Sequence, residues 1–128
     1  MTRPTTPLRL TVLATAMVLV FMLFYLGAQP FAARLTPPPW DKLAHFLTYA
    51  TLTCLLRLGI GGNHPWLLVA LVGIIGCADE WHQLSLPGRS ADLTDLATDV
   101  AAAFVAIMAC EWYEKCRRPS PPDAGHSG

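Results

Sequence analysis

The chain has 128 residues, of which 53% are hydrophobic and only 14% charged, and its formal net charge is zero. Soluble domains carry about 25% charged residues, so this composition excludes an ordinary soluble domain and predicts one membrane-embedded domain. Because the net charge is zero and the basic residues are scattered, the chain has no signature of nucleic-acid binding.

The first apolar run covers residues 8–28 and follows a short polar segment at residues 1–7. Its length fits one membrane-spanning helix, because about 20 residues cross a hydrocarbon core. A cleaved signal peptide is the competing interpretation, since a basic flank and an apolar core come first in the chain. The run is long for a signal core and no small-x-small site ends it, which favours the spanning helix.

Three further helices are predicted after a proline-containing linker, at about residues 41–58, 66–84 and 92–113. Asp41 and Asp92 begin two of these helices, and aspartate is a good N-cap. The tail at residues 114–128 is rich in Pro, Ser and Gly and is expected to be disordered. The sequence therefore predicts an all-α, four-transmembrane-helix bundle over residues 8–113.

Basic residues predict the orientation of this bundle, because cytoplasmic flanks carry an excess of Lys and Arg. One side of the membrane is expected to hold six of them: Arg3, Arg9, Arg57, Lys115, Arg117 and Arg118. The other side holds three: Arg34, Lys42 and Arg89. Both termini are therefore expected in the cytoplasm, with residues 1–7 as the cytoplasmic N-terminus.

The stretch at residues 76–99 holds five of the nine carboxylates, between apolar runs at 66–78 and 100–110. At about 1.5 Å per residue these runs reach about 17–20 Å, short of a hydrocarbon core about 30 Å thick. If both segments span, then Glu80, Asp95 and Asp99 must enter the outer part of the bilayer. Ionisable groups are costly there and are expected to face a protein interior, as a candidate functional site.

Helical spacing aligns the polar residues at one membrane face. The expected cluster is Asp41, His45, Glu80, Gln83, Arg89, Asp92, Asp95 and Asp99. Its carboxylates cannot all stay ionised in a confined space, so some must be protonated, paired with a basic group or bridged by a cation. Simpler interpretations stay open: Asp41 and Asp92 as caps, Asp79 reaching headgroup water, and Arg89 as a lipid-phosphate anchor.

No metal or other cofactor is predicted. Cys54, Cys77, Cys110 and Cys116 lack Cys-x-x-Cys spacing, and those in apolar runs act as small hydrophobes, so neither a disulfide framework nor a zinc site is expected. The histidine and carboxylates of the cluster offer ligand atoms for a divalent ion, but no short ligand motif is present. No nucleophile elbow, phosphate loop or dinucleotide fingerprint is present either.

The order of the polar residues resembles the VanZ-like family of small bacterial membrane proteins. The resemblance rests on three pieces: Asp41-Lys42-x-x-His45-Phe46-x-x-Tyr49, Glu80-x-x-Gln83 and Pro87-Gly88-Arg89-x-x-Asp92-x-x-Asp95. Asp99 and Ala102 stand where the family pattern has Asn and Gly. The resemblance implies a multi-pass protein of the bacterial inner membrane, and the founding member is linked to resistance to teicoplanin, a glycopeptide antibiotic.

Three functions fit these features. The cluster binds or modifies a lipid or cell-wall headgroup, with Arg89 holding anionic oxygens and His45 acting with a carboxylate as acid and base. Alternatively, buried carboxylates and a histidine form a proton or cation pathway, or the polar network only fixes helix packing and partner choice. Whether a reaction is catalysed stays open at the level of the sequence.

Overall fold

The computed structural model describes residues 5–29, 31, 37, 39–61, 64–87 and 91–117. These residues form four helices and no strand: α1 (Thr6–Gly27), α2 (Trp40–Ile60), α3 (Pro65–Leu84) and α4 (Leu93–Arg117). Each helix is long and apolar enough to cross a membrane. The predicted fold class, an all-α bundle of four transmembrane helices, is confirmed.

The start of α2 corrects one expectation. The helix begins at Trp40 with Pro39 in the N-cap position, so Asp41 lies in the first turn and does not cap it. A proline is tolerated there, because the first N–H groups of a helix have no partner within the helix. At α4, by contrast, Asp92 Oδ1 accepts a hydrogen bond from the Thr94 N–H at 2.8 Å, which is the geometry of an N-cap.

The outer ends of the first and last helices extend beyond the predicted bounds. α1 begins at Thr6, inside the segment predicted as polar terminus, since Pro7 fits the first turn of a helix. α4 continues past Tyr113 to Arg117, because Glu114 is held by Arg57 of α2 at 3.2 Å. The start of the predicted disordered tail is therefore helical, and residues 118–128 lie outside the described part of the chain.

α2 is the central helix of the described bundle. It packs against the three other helices, and α4 also packs along α3. The core between these three helices contains one aromatic side chain, several branched aliphatic side chains and small alanines. It includes Tyr49, Leu52, Leu68, Val72, Ala102, Ala103 and Ile107. Small side chains on α4 allow its backbone to approach α2 closely.

α1 is a peripheral helix. It packs mainly on α2, touches α3 and has no contact with α4 within the described residues. Ala16 is its only buried residue, and its exposed side chains are mostly apolar, with Thr6, Thr11 and Thr15 among them. A helix with apolar residues on all sides suits a lipid environment, so α1 lies at the periphery of the bundle and faces lipid.

The up-and-down course of the chain gives the bundle two distinct ends. One is formed by the last turns of α1 and α3 and the first turns of α2 and α4, and we call it the polar end. At the opposite end, Arg9 donates from Nε to the Gly59 carbonyl at 2.9 Å and from Nη2 to the Ile60 carbonyl at 3.0 Å. These bonds satisfy carbonyls that the C-terminus of α2 leaves without partners.

Arg57 also lies at the opposite end, but its position differs from the expectation. The orientation argument counted it among basic residues flanking a turn, whereas the structure buries it within α2 with 7% exposure. Its Nη2 donates to Glu114 at 3.2 Å, and its Nη1 is 3.9 Å from Glu111. A buried cation is tolerated when it is paired, which explains how α2 carries an arginine inside its last turns.

Candidate functional site

The polar end centres on a contact between His45 of α2 and Asp99 of α4. His45 Nδ1 and Asp99 Oδ1 are 3.0 Å apart, and Asp99 is completely buried. When the carboxylate accepts from Nδ1–H, the neutral imidazole keeps its lone pair on Nε2. The pair therefore presents a ring nitrogen that can take up or release a proton, with the carboxylate orienting the ring.

Tyr49 lies one helical turn below His45 and supports the same ring. The two rings stack with centroids 6.0 Å apart. Tyr49 is fully buried, and its hydroxyl has no hydrogen-bond partner among the described residues. Through this stacking Tyr49 belongs to the polar end, although it also borders the apolar core below.

Lys42 joins the start of α2 to the start of α4. Its Nζ is 2.6 Å from Asp95 Oδ1 and 3.2 Å from Asp92 Oδ2, and it also donates to the Thr94 hydroxyl. One ammonium thus partly offsets the repulsion between two carboxylates on the first turn of α4. The Asp92 and Lys42 side chains are 48% and 38% exposed, whereas Asp95 is only 13% exposed, so this contact lies at the rim of the site.

Glu80 of α3 binds the start of α4 on the side away from Lys42. Its Oε2 accepts the backbone N–H of Asp92 at 2.7 Å, while its Oε1 is buried without a partner in the described structure. Glu80 and Asp95 therefore lie at the same end of the bundle, connected through Asp92. A further polar contact lies within α3, where Gln83 Nε2 donates to Asp79 Oδ2 at 3.2 Å.

Several acceptor oxygens at this end have no partner among the described residues. They are buried atoms on four acidic side chains: Asp41 Oδ1, Asp79 Oδ1, Glu80 Oε1 and Asp99 Oδ2. A buried acceptor without a donor is costly, so each atom is suited to accept a hydrogen bond from a bound group or to carry a proton itself. The site can thus receive N–H or O–H donors next to an imidazole.

The structure brings together most of the predicted cluster residues that it describes. Contacts with another member or with Lys42 are formed by His45, Glu80, Asp92, Asp95 and Asp99. Gln83 contacts Asp79, which lies four residues before it on α3. Asp41 forms no hydrogen bond or ion pair within the described part of the chain, and Arg89 lies outside the described residues.

Three residues belong to this end although the predicted site left them out. Asp79 is 1% exposed, so the interpretation that it reaches headgroup water is wrong. Lys42 and Tyr49 stood in the resemblance motif but were not included as site residues. Lys42 lies three residues before His45 and Tyr49 four residues after it, so all three share one side of α2, and this spacing is the signal that identifies them.

Among the described residues, no group of three or more His, Cys, Asp or Glu side chains converges closely enough to hold a metal ion. The four buried acceptors named above lie on three different helices, and His45 points its Nδ1 at Asp99.

Comparison with known proteins agrees with the resemblance predicted from the motifs. No curated protein and no solved structure matches the chain. The sequence profile of the family described as VanZ/LLP1 matches residues 5–114, which include all four helices except the last turn of α4. A match over this much of the chain, together with four apolar helices, shows that the protein belongs to the VanZ/LLP1 family.

Proposed function

We propose that the protein acts in the bacterial cell envelope and binds or modifies a lipid or cell-wall headgroup at the polar end, with an effect on teicoplanin susceptibility. The observation that carries the proposal is the buried His45–Asp99 pair beside carboxylate oxygens that have no partner in the described structure. Ionisable residues inside transmembrane segments are expensive and mark functional sites by default.

Each group has a role in this proposal. The buried acceptor oxygens receive hydroxyl or amine donors of the headgroup, and His45 serves as the acid or base if a proton is transferred. Arg89, three residues before Asp92, holds anionic oxygens such as those of a phosphate. Lys42 and Glu80 keep the first turn of α4 in place, and thereby position Asp95 and Asp99.

The proposal requires the polar end to face outward, with both termini in the cytoplasm of a bacterial inner-membrane protein. Burial of Arg57 removes it from the flanking basic residues and leaves five residues near the termini against Arg34, Lys42 and Arg89. The excess of basic residues still favours cytoplasmic termini.

The burial pattern favours a site at one face over a pathway through the bundle. Below Tyr49 the buried side chains of α2 are Leu52, Thr53 and Leu56, before Arg57. The Thr53 hydroxyl is already used, because it donates to the Tyr49 carbonyl at 2.7 Å. α4 contributes alanines at the same depth. A chain of free polar groups for proton or cation transfer is therefore not continuous among the described residues.

A deletion strain complemented with variants tests the proposal. We expect wild type to alter teicoplanin susceptibility and to retain a lipid in native mass spectrometry after mild detergent extraction. His45→Ala and Arg89→Ala should lose both effects, at expression levels matched by immunoblot. Lys115→Ala, a change at the opposite end, is the matched control and should behave as wild type. Equal lipid retention and equal susceptibility in all four proteins would overturn the proposal.

A further inference from the structure

Two of the four cysteines meet between α2 and α4, far from each other in the chain. The Sγ atoms of Cys54 and Cys110 are 4.0 Å apart across a sequence separation of 56 residues. Both thiols are free and half-buried, whereas Cys77 and Cys116 are exposed. Residue spacing does not predict this contact, because it depends on the rotation of two helices about their axes.

We propose that Cys54 and Cys110 form a thiol–disulfide redox site that covalently joins α2 to α4. A disulfide needs an S–S distance of about 2.05 Å, so the sulfur atoms must approach by about 2 Å. Rotation of the two side chains supplies movement on this scale, and the alanines of α4 already bring the two helices close together. No other cysteine pair within the described residues has a sulfur–sulfur contact.

The pair lies within reach of a small reagent from the opposite end of the bundle. Arg57 follows Cys54 by about one helical turn, and Glu111 follows Cys110 directly. The Glu111 and Glu114 side chains that pair with Arg57 are each 36% exposed, so this polar layer meets the surface. The two thiols therefore lie next to the partly exposed layer of Arg57 and its glutamates, and each thiol is itself only half-buried.

The reaction requires a two-electron oxidant, and a small apolar disulfide is the class that suits a site in a membrane. A thiolate of one cysteine attacks a sulfur of the reagent, breaks its S–S bond and releases one reagent thiol. The second cysteine then attacks the mixed disulfide and releases the second reagent thiol. The two protein thiols lose two electrons and two protons, and the reagent disulfide gains both as two thiols.

Such a bond would constrain the helices that build the polar end. α2 and α4 carry His45 and Asp99, which lie about nine to eleven residues, or about 14–17 Å along the helix axis, from the cysteines. A covalent tie at that distance limits how far the two helices separate at His45 and Asp99. The inference stands independently of the proposed function, because it concerns the thiols alone.

The test uses the full chain in detergent with Cys77→Ala and Cys116→Ala, which leaves only the proposed pair. After treatment with 2,2′-dipyridyl disulfide, we expect two thiopyridones released per protein and an intact mass lower than that of the reduced protein by two hydrogen atoms. The product should be a monomer on a non-reducing gel. Adding Cys54→Ser is the matched control: one thiopyridone is released, and one pyridylthio group stays on the protein.

Other outcomes would overturn the proposal. Retained pyridylthio groups on the two-cysteine protein show that the thiols react separately, and a disulfide-linked dimer shows that they meet a second copy instead. An absence of thiopyridone release shows that the site is closed to the oxidant. The thermal midpoint of the oxidised protein should also exceed that of the reduced protein, and an equal or lower midpoint would show that the bond does not fit the native bundle.

Discussion

At the scale of single residues, the surroundings of Asp99 determine which substitutions of this residue the polar end tolerates. Its Oδ1 contacts His45 at 3.0 Å, and its Oδ2 is buried without a hydrogen-bond partner in the described structure. The family resemblance places an asparagine at this position, which has an acceptor of the same shape but no charge. We therefore expect the hydrogen bond to His45 to contribute more to stability than the charge of residue 99.

We expect Asp99→Ala to lower the free energy of unfolding by about 1–3 kcal/mol, because the His45 ring loses its partner in a buried site. Asp99→Asn should lower the free energy of unfolding by less than half of that amount, since the asparagine Oδ1 still accepts a hydrogen bond from the His45 Nδ1–H. Tryptophan fluorescence during thermal unfolding in detergent measures both. A His45→Ala/Asp99→Ala double variant is the control, and strictly additive losses would argue against direct coupling of the two residues.

A second residue-scale prediction concerns the glycines of α3. A Cβ at Gly76 would lie 3.0 Å from Asp99 Oδ2 and 3.1 Å from Leu96 Cδ1, whereas one at Gly73 would lie 3.7 Å from Val100 Cγ2. Gly76→Ala should therefore destabilise the protein by about 1–3 kcal/mol through crowding. Gly73→Ala should be neutral or stabilising by up to about 1 kcal/mol, because alanine is the better helix former.

The same unfolding assay compares the two glycine variants, which differ only in position along one helix. Equal midpoints for Gly76→Ala and Gly73→Ala would contradict the close approach of α3 to Asp99. A lower thermal midpoint for Gly73→Ala alone would show that the close contact lies at Gly73 and not at Gly76.

At the scale of elements, the start of α4 is fixed by groups from three helices. Asp92 caps it, Lys42 of α2 pairs with Asp92 and Asp95, and Glu80 of α3 accepts the Asp92 N–H. The Thr94 N–H and hydroxyl, followed by Lys42, hold the pKa of Asp92 below its ordinary value of 3.8. Protonation of this one exposed carboxylate therefore weakens a cap and an ion pair together.

The lowered pKa of Asp92 determines how the stability of the protein depends on pH. A carboxylate whose pKa is lower in the folded state stabilises the protein above its ordinary pKa, and the stabilisation is lost as the pH falls through the folded value. The midpoint of wild type should exceed that of Asp92→Asn by a constant amount between about pH 7 and about pH 5. The difference should shrink below pH 3.8. A difference that grows on acidification would contradict the assigned cap and ion pair.

Hydropathy and run length were sufficient to predict the four helices, because each segment must bury a continuous apolar stretch in lipid. The cap at α2 could not be predicted by the same means. Asp41 is a better N-cap residue than Pro39, but the helix starts one residue earlier and Pro39 occupies that position. Local preference at a helix end is weak, about 1 kcal/mol, and packing of the whole helix overrides it.

The candidate site was predictable in part for a similar reason. Spacing within one helix indicated which polar residues share a side, and topology indicated which helix ends meet. Partners across helices depend on helix rotation, which spacing does not give. The sequence therefore did not reveal that Lys42 contacts Asp95, that Asp79 is buried, or that Arg57 pairs with Glu114.

At the scale of the whole molecule, ionic groups are confined to the two ends of an apolar bundle. The polar end is mainly acidic, and the opposite end carries Arg9 and the buried Arg57 with two glutamates. An even number of spanning helices puts both termini on one side of the membrane. The charge distribution then favours the cytoplasm for that side.

A reporter test decides this orientation. Green fluorescent protein fused after Gly128 should fluoresce in intact bacteria, because it folds in the cytoplasm, and alkaline phosphatase at the same site should be inactive. Phosphatase inserted after Ser85, in the turn that follows α3, should be active. The inverse pattern would place the polar end in the cytoplasm and remove it from the outer envelope.

The two bonds that Arg9 makes with the last carbonyls of α2 constrain how the protein enters the membrane. They join residues 50 and 51 positions apart, and both partners lie at the same surface. The first helix leaves the ribosome early with few buried contacts of its own, so it gains its docking partner only when α2 has returned across the bilayer. We therefore expect these two helices to integrate as a hairpin, with α3 and α4 assembling against its α2 side.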